Sequence, residues 1–230
     1  MRIVCVHGAG ESAGIWHSQV QAIPEVEALD LPGHGENGGR GLASVGAYSD
    51  WLAGTLSGSR PLILAGHSMG GAIALELALR IPRPDWLAGL LLVATGARLR
   101  VHPDILRLLD DDFDSASALL ADWSVADDAM VRSDVVAGMR LAGRQTVRDD
   151  YRAVHSFDVM NRLDEVDVPA MAVVGSEDRM TPPKYARFLA DRIPVAGLVE
   201  IPAAGHLVTR EQPVAVNRCV EAFAQSMDAA

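Results

Sequence analysis

The sequence predicts an α/β fold in which a mainly parallel sheet of about six strands is flanked by helices. Short apolar runs alternate with longer helical patterns along most of the chain, which is typical of such sheets. Several apolar runs are continuous rather than alternating, as expected for strands that are buried on both faces. The length of 230 residues suits one compact domain with a substantial core.

The predicted elements follow one another in the order that such a sheet requires. The strands are expected at Arg2–Val6, Val26–Leu29, Leu62–Ala65, Leu87–Ala94, Ala170–Val174 and Gly197–Ile201. The helical patterns between and after them lie at Ser44–Leu56, Met69–Ile81, Lys184–Arg192 and Val214–Met227. Pro82 and Pro84 end the second helix, and Pro213 opens the last one at a position where proline is tolerated.

The segment from Gly96 to Val168 interrupts the alternation of strands and helices. It contains helical patterns at Ala126–Leu141 and Thr146–Phe157 but no convincing strand. The acidic run Asp110–Asp112 is interpreted as a solvated helix end or loop, because three consecutive carboxylates seldom converge on one metal ion. We therefore expect a core formed by residues 1–95 and 169–230, with a small helical insertion, residues 96–168, between two strands.

Composition and charge exclude several classes of protein. The formal net charge of −10 argues against a nucleic-acid partner, since a phosphate backbone would be repelled. No stretch approaches the roughly 18 apolar residues of a membrane span, and Ile3–Val6 is interpreted as a strand rather than a signal peptide. Cys5 and Cys219 have no metal-like spacing and are expected to be buried thiols in a cytoplasmic protein.

The segment Leu62–Gly71 has the layout of a nucleophile elbow. An apolar strand runs directly into Gly66-His67-Ser68-Met69-Gly70 and then into a helical pattern. Glycines on both sides of the serine permit a sharp strand-to-helix turn that lifts the hydroxyl clear of the backbone. The helix N-terminus adds N–H groups and a dipole that favour negative charge. Ser68 is therefore the predicted nucleophile.

A second match to the same pattern occurs in Gly10-Glu11-Ser12-Ala13-Gly14. Here the serine lies beyond its strand in a glycine-rich loop, and no long apolar helix follows immediately. The order of strand, turn and helix that the elbow needs is therefore missing. Ser12 is interpreted as a loop residue.

A serine hydroxyl needs a base that removes its proton, and the base needs a supporting acid. His206 follows the last predicted strand, and Asp178 follows the strand that ends at Val174. Because loops at the carboxyl ends of parallel strands meet in one crevice, these side chains can converge on Ser68. Glu177 is left open as an alternative to Asp178, which on its own would be an ordinary turn or helix-capping residue.

The developing oxyanion also needs hydrogen-bond donors. Met69 follows the nucleophile and offers one backbone N–H, and Ala9 in the loop after the first strand is the predicted second donor. His7 in the same loop is interpreted as a hydrogen-bonding scaffold residue rather than a second base.

Taken in order, these motifs closely resemble the α/β-hydrolase superfamily, especially its small bacterial esterase and lactonase-like members. The matching segments span Arg2 to His206: His7-Gly8-Ala9-Gly10 followed by Trp16, Asp30-Leu31-Pro32-Gly33-His34-Gly35, Gly66-His67-Ser68-Met69-Gly70, Gly175-Ser176-Glu177-Asp178 and Gly205-His206. The resemblance implies that residues 96–168 form a small helical cap over the active site, where members of the family choose their substrates. It also implies a shortened sheet, because many members begin with an antiparallel hairpin for which this chain has no residues.

The resemblance implies an acyl-serine route without a metal or organic cofactor, acting on a small-molecule ester, lactone or thioester. Haloalkane dehalogenases and epoxide hydrolases of the family carry aspartate at the position of Ser68 and are disfavoured. Trp123 and Phe157 are candidates for an apolar pocket but could equally form the core of the cap. Carbon–carbon bond hydrolases, hydroxynitrile lyases and cofactor-free oxygenases remain alternatives on the same triad, and a non-catalytic ligand receptor remains an alternative from another class.

Overall fold

The structure is a computed structural model that describes residues 1–228 of the chain. Residues 229 and 230, the end of the predicted second core segment, lie outside the described residues. Six strands form one sheet: β1 (Arg2–Val6), β2 (Val26–Leu29), β3 (Leu62–His67), β4 (Leu87–Val93), β5 (Ala170–Gly175) and β6 (Ala196–Ile201). Their order across the sheet is β2-β1-β3-β4-β5-β6, and every neighbouring pair is parallel. The prediction of a mainly parallel six-stranded sheet is confirmed.

Ten α-helices are found among the described residues. They are α1 (His17–Ala22), α2 (Val45–Thr55), α3 (Met69–Ala78), α4 (Pro103–Asp111), α5 (Phe113–Ser124), α6 (Ala129–Ala142), α7 (Arg144–Ser156), α8 (Pro183–Arg192), α9 (Val208–Glu211) and α10 (Pro213–Asp228). Short 3-10 helices lie at Ala13–Trp16 and Leu163–Glu165. No helix in the described part is both long and apolar enough to cross a bilayer.

The strands bury side chains on both faces, and each face has its own set of helices. Val4 and Leu64 point into a core formed with α2, α3 and α8, whereas Ile3 and Ile63 point into a core formed with the first 3-10 helix, α9 and α10. This alternation follows from the two-residue period of a strand. It explains why the strand sequences are apolar throughout.

Four helices, α4 to α7, lie between β4 and β5 and build a third, smaller hydrophobic cluster. Leu109 and Leu120 from the first two of these helices pack with Met139 and Val147 from the last two. Ala9, in the loop after β1, packs against the same cluster. The helices thus stand over the carboxyl end of the sheet.

Several predicted boundaries were wrong by a few residues, each for a local reason. The helix predicted to reach Ile81 ends at Ala78, because a residue before proline disfavours helical geometry and Pro82 follows. The strand predicted to include Ala94 stops at Val93, since Ala94 has a positive φ of 48°. The helix predicted from Ala126 begins at Ala129, because the Asp128 side chain caps it by accepting from two backbone N–H groups.

The acidic run and both cysteines lie as the sequence predicted. Asp110 and Asp111 end α4, and Asp112 caps α5 by accepting from the Ser115 N–H. Cys5 and Cys219 are buried free thiols. Burial raises the pKa of both thiols, so their reactive thiolate forms are suppressed.

Candidate active site

Ser68 occupies the turn between β3 and α3 in a left-handed backbone conformation, with φ at 51° and ψ at −114°. The Ser68 N–H donates to the Val93 carbonyl, and the Ser68 carbonyl accepts from the Gly71 and Ala72 N–H groups. A non-glycine residue with positive φ is strained and persists only where its surroundings hold it. The Ser68 hydroxyl makes no hydrogen bond within the described residues and lines a cavity, so it is free to meet a substrate.

The flanking glycines are required by close backbone approach. A Cβ on Gly66 would lie 2.3 Å from the backbone of Gly70, and a Cβ on Gly70 would lie 2.4 Å from the Val6 carbonyl oxygen. Real Cβ atoms do not approach so closely, and backbone atoms cannot move aside as a flexible side chain can. The elbow is therefore fixed against both its own turn and the end of β1.

The structure brings His206 and Asp178 together from loops that follow β6 and β5. The His206 Nδ1 lies 2.9 Å from the Asp178 Oδ2, and both side chains are almost fully buried. The His206 N–H donates to the Ser124 carbonyl at 2.8 Å, which ties its loop to the end of α5. His206 and Ser68 line the same cavity.

Asp178 is held as a carboxylate by several donors. Its Oδ1 accepts from the Met180 and Thr181 N–H groups, and its Oδ2 accepts from the Thr181 hydroxyl, each at 2.8 Å. Burial alone would raise the pKa of Asp178, but His206 and the Thr181 hydrogen bonds outweigh burial and lower it. Glu177 is exposed and does not contact His206, so the geometry favours Asp178 over this alternative.

Ala9 and Met69 lie where the sequence placed the oxyanion donors, at the ends of β1 and β3. Neither N–H donates to an oxygen of the described residues. Ala9 lines the cavity together with Ser68, and Met69 is the first residue of α3. The strand order reverses between β1 and β3, and ligands of open α/β sheets bind at that point.

His7 acts as a scaffold residue, as its position in the loop suggested. Its Nδ1 donates to the Gly8 carbonyl at 2.8 Å and its Nε2 accepts from the Leu31 N–H at 3.0 Å, which requires a neutral ring. Burial, together with the neighbouring His34, lowers the pKa of His7 to about 4. A ring already engaged at both nitrogens cannot serve as a second base.

Asp150 on α7 was not singled out by its sequence context, yet it connects the inserted helices to the core. Its carboxylate is fully buried and accepts from the Gly10 N–H at 2.9 Å, the Tyr48 hydroxyl at 2.7 Å and the His34 Nε2 at 2.8 Å. Burial opposes the charged form of His34, but the hydrogen bond and charge of Asp150 outweigh burial and raise the pKa of His34. The loop that carries Ala9 is thus fixed from the side of α7.

The cavity beside Ser68 has a volume of about 200 Å³ and largely apolar walls. The inserted helices contribute Ile105, Leu120, Trp123, Val135 and Met139 to it. Trp123 therefore lines the cavity as the sequence suggested. Phe157 does not, because it is buried in the core on the α2–α3 side of the sheet.

Two further residues near Ser68 were missed by the sequence reasoning, namely Glu11 and His67. The Glu11 carboxylate and the His67 ring form a part-buried contact, and His67 directly precedes the nucleophile in the chain. His67 lies inside the elbow motif and Glu11 inside the second Gly-x-Ser-x-Gly segment. Both segments were identified from the sequence, but neither residue was assigned a function. No group of three His, Cys, Asp or Glu side chains suited to a metal ion occurs within residues 1–228.

Comparison with known proteins places the fold and the motifs in a family. The model of the alpha/beta hydrolase family matches residues 3–218. A pimeloyl-acyl carrier protein methyl ester esterase of Neisseria meningitidis is 27% identical over 234 residues, covering 89% of this chain and 85% of the esterase.

Two solved structures resemble the chain over almost its whole length. A thermophilic esterase superposes with a TM-score of 0.89 at 32% identity, covering 98% of this chain and 90% of that protein. An N-acyl homoserine lactone degrading enzyme superposes with a TM-score of 0.86 at 25% identity, covering 97% of this chain and 93% of that protein. The chain belongs to the alpha/beta hydrolase family.

Proposed function

We propose that this protein is a serine hydrolase that cleaves carboxylic esters through an acyl-serine intermediate. One observation carries the proposal: Ser68 in its elbow and His206, which is paired with the buried Asp178, line one cavity at the carboxyl end of the sheet. Two of its relatives are esterases by their names, and a third degrades an N-acyl homoserine lactone, a molecule whose ring contains an ester bond. These names support the same chemistry here.

Each residue of the site has its own role in the proposed reaction. His206 takes the proton from the Ser68 hydroxyl as the oxygen attacks the carbonyl carbon, and Asp178 stabilises the resulting imidazolium. The N–H groups of Ala9 and Met69 bind the developing oxyanion. His206 then protonates the leaving alcohol, and afterwards it activates the water that releases the acid and restores Ser68.

The cavity supports a small or medium substrate. Its volume of about 200 Å³ lies below the roughly 300–1,000 Å³ of pockets for drug-sized ligands. Apolar walls from α4 to α7 suit a hydrocarbon acyl or alcohol group. We assign residues 96–168 the role of a cap that selects this group, and the separate hydrophobic cluster of these helices supports that role.

The chemistry needs no metal or organic cofactor, because the three side chains and two N–H groups supply every proton transfer and charge contact. The buried free thiols are consistent with work in the cytoplasm. The substrate is a small molecule that enters beside Ser68.

The experiment that tests the proposal is labelling with an activated fluorophosphonate, followed by location of the adduct by peptide mass spectrometry. Stoichiometric labelling of Ser68 that disappears in Ser68→Ala would support it. p-Nitrophenyl esters from acetate to decanoate would then measure the acyl preference. Labelling at Ser12, no labelling, or turnover of ring-fission diketones without turnover of esters would contradict it.

A further inference from the structure

The residues that precede serine in the two Gly-x-Ser-x-Gly segments contact each other. The Glu11 Oε2 lies 2.9 Å from the His67 Nδ1, although the residues are 56 positions apart. The His67 side chain is fully buried and that of Glu11 is 11% exposed. Glu11 reaches solvent space beside the nucleophile, because it lines the cavity that Ser68 and His206 also line.

Each member of the pair holds a further loop of the site. The Glu11 Oε2 also accepts from the Gly8 N–H at 2.7 Å, next to the proposed oxyanion donor Ala9. The His67 Nε2 donates to the backbone carbonyl of His206 at 3.0 Å. The pair thus connects the loop after β1, the elbow and the loop that carries the base.

The hydrogen bonds determine the charges of the pair. Both nitrogens of His67 face oxygen acceptors, so both must carry a proton and the ring is an imidazolium. Burial opposes this charge, but Glu11 and the His206 carbonyl outweigh burial and raise the pKa of His67. Burial likewise opposes ionisation of Glu11, but His67 outweighs it and lowers the pKa of Glu11 to about 2.

A buried ion pair is a costly way to stabilise a fold, since desolvation offsets most of the attraction between its members. It can still impose a specific arrangement on groups that must meet accurately. The three segments joined here, two loops and the end of β3, supply an oxyanion donor, the base and the nucleophile. Small misplacement of such groups lowers rates strongly.

We propose that Glu11 and His67 are positioning residues that hold the oxyanion loop and the base loop against the nucleophile. The proposal rests on the proposed function, because it assigns roles to Ala9, Ser68 and His206. Its distinguishing feature is that the Glu11 carboxylate keeps both nitrogens of His67 protonated, so that both hydrogen bonds of the ring persist.

Glu11→Ala removes both contacts of the carboxylate, whereas Glu11→Gln removes its charge. Alanine leaves the Gly8 N–H and the His67 ring unpartnered, and we expect kcat to fall on the order of 100-fold with little change in KM, as for loss of an oxyanion donor. The same atom, the Glu11 Oε2, accepts from both Gly8 and His67, so a glutamine oxygen in its place can accept from both only while the His67 Nδ1 carries a proton. A neutral His67 then has no proton on Nε2 for the His206 carbonyl, and kcat of Glu11→Gln at pH 8 should be about tenfold below wild type.

The pH profile supplies a readout that a merely structural residue would not move. In wild type Glu11 raises the pKa of His67, so the ring keeps both protons and both of its hydrogen bonds. In Glu11→Gln this support is lost, and His67 regains the Nε2 proton and the contact with the His206 carbonyl only as the pH falls. The ratio of kcat for Glu11→Gln to kcat for wild type should therefore rise on acidification. Other titratable or charged groups that face the pair or its cavities are His7, Arg100, His102, Asp134, Tyr151, Asp178, Arg179, Tyr185, His206 and Arg210.

Controls separate this proposal from the proposed function and from unfolding. Glu25→Gln makes the same charge change at an exposed site and should match wild type at every pH. Fluorophosphonate should label Ser68 of Glu11→Ala completely but about 100-fold more slowly, which excludes loss of folded protein. A wild-type protein without esterase activity would overturn the proposed function. An active wild type would instead overturn the positioning role if Glu11→Ala equalled it, or if the ratio of Glu11→Gln to wild-type kcat did not change with pH.

Discussion

The two Gly-x-Ser-x-Gly segments share a pattern but differ in backbone, packing and neighbours. Ser68 has a positive φ at the end of a buried strand, whereas Ser12 is extended, with φ at −145°, and caps a short 3-10 helix. A Cβ added to Gly66 or Gly70 would collide with backbone atoms. A Cβ on Gly14 would meet only the Ser12 hydroxyl, at 3.3 Å. Whether the serine of such a five-residue pattern can act as a nucleophile therefore depends on the secondary structure on either side of the pattern.

The first segment still contributes to the site, through a different residue. In the elbow the central serine faces the cavity, and in the loop Glu11 does so. The two segments meet through the residues just before their serines. The loop segment is thus interpreted as support for the elbow segment rather than as a second nucleophile site.

Replacement of each serine should give the largest difference between the segments. Ser68→Ala removes the nucleophile, and kcat for p-nitrophenyl esters should fall on the order of 10⁶-fold. Ser12→Ala removes only a hydrogen bond to the Gly14 N–H, so kcat should be unchanged and the free energy of unfolding should drop by about 1 kcal/mol. Loss of turnover in Ser12→Ala would show that the loop serine takes part in catalysis.

Two aspartates, Asp178 in the proposed triad and Asp30 beside the loop of Ser12, should also respond differently to replacement by asparagine. In Asp178→Asn an amide NH₂ replaces the oxygen that faces His206, which forces the tautomer that cannot accept the serine proton, and kcat should fall about 10⁴-fold. Asp30 near Ser12 accepts from the Ala13 and Glu36 N–H groups. Asp30→Asn should therefore cost about 1–2 kcal/mol of unfolding free energy without changing the chemical step. Both variants are compared by steady-state kinetics and urea unfolding, and an Asp178→Asn enzyme within about tenfold of wild type would contradict the triad.

Glycine replacement compares the packing of the segments. Gly70→Ala would force a Cβ to within 2.4 Å of the Val6 carbonyl oxygen, and we expect a loss of about 3 kcal/mol in unfolding free energy. Gly14→Ala meets one side-chain oxygen at contact distance and should change stability by less than about 0.5 kcal/mol. Equal urea midpoints for the two variants would argue against a tightly enclosed elbow.

The smallest expected effect is the pH dependence of the stability that Glu11 contributes. Its pKa in the folded protein is about 2, below the ordinary value of 4.5, so its stabilisation is complete above pH 4.5 and is lost as the pH falls towards 2. Glu11 also raises the pKa of His67, so the difference in unfolding free energy between wild type and Glu11→Gln should widen as the pH falls from 7 to about 5 and should shrink again below pH 4.5 as the charge of Glu11 ceases to contribute. Urea titrations between pH 7 and pH 3.5 measure it, with Glu25→Gln as the comparison whose difference from wild type stays flat. A gap that stayed constant for Glu11→Gln would refute the ion pair.

The strands and the elbow could be predicted because their signals are local. Continuous apolar runs mark strands buried on both faces, and the glycines around Ser68 mark a sharp turn within five residues. The helices α1, α4 and α5 were missed because no clear local signal marks them in the sequence. α1 has six residues, too few to be stable alone, and it packs against α10 from the far end of the chain. α4 and α5 are separated by Asp112 alone, so their separate periodicities are hard to distinguish in the sequence.

The support around the site could not be predicted in the same way. Glu11 meets His67 across 56 positions and Asp150 meets His34 across 116, and no periodicity records such contacts. Asp150 in particular looks like one of several surface charges of an amphipathic helix, since Asp149 and Arg148 stand beside it. Only the packing of α7 onto the core shows that this carboxylate is buried.

The contacts of Asp150 set a condition for exchanging the proposed cap, residues 96–168, between enzymes of this family. The Gly10 N–H, the Tyr48 hydroxyl and the His34 ring converge on that one carboxylate. A transplanted cap without an acceptor at this place would leave three buried donors unpaired, at a cost of roughly 1–3 kcal/mol each. Chimeras that graft new helices between β4 and β5 should therefore keep Asp150 and the turn of α7 around it, while the cavity-lining positions are varied freely to change the substrate.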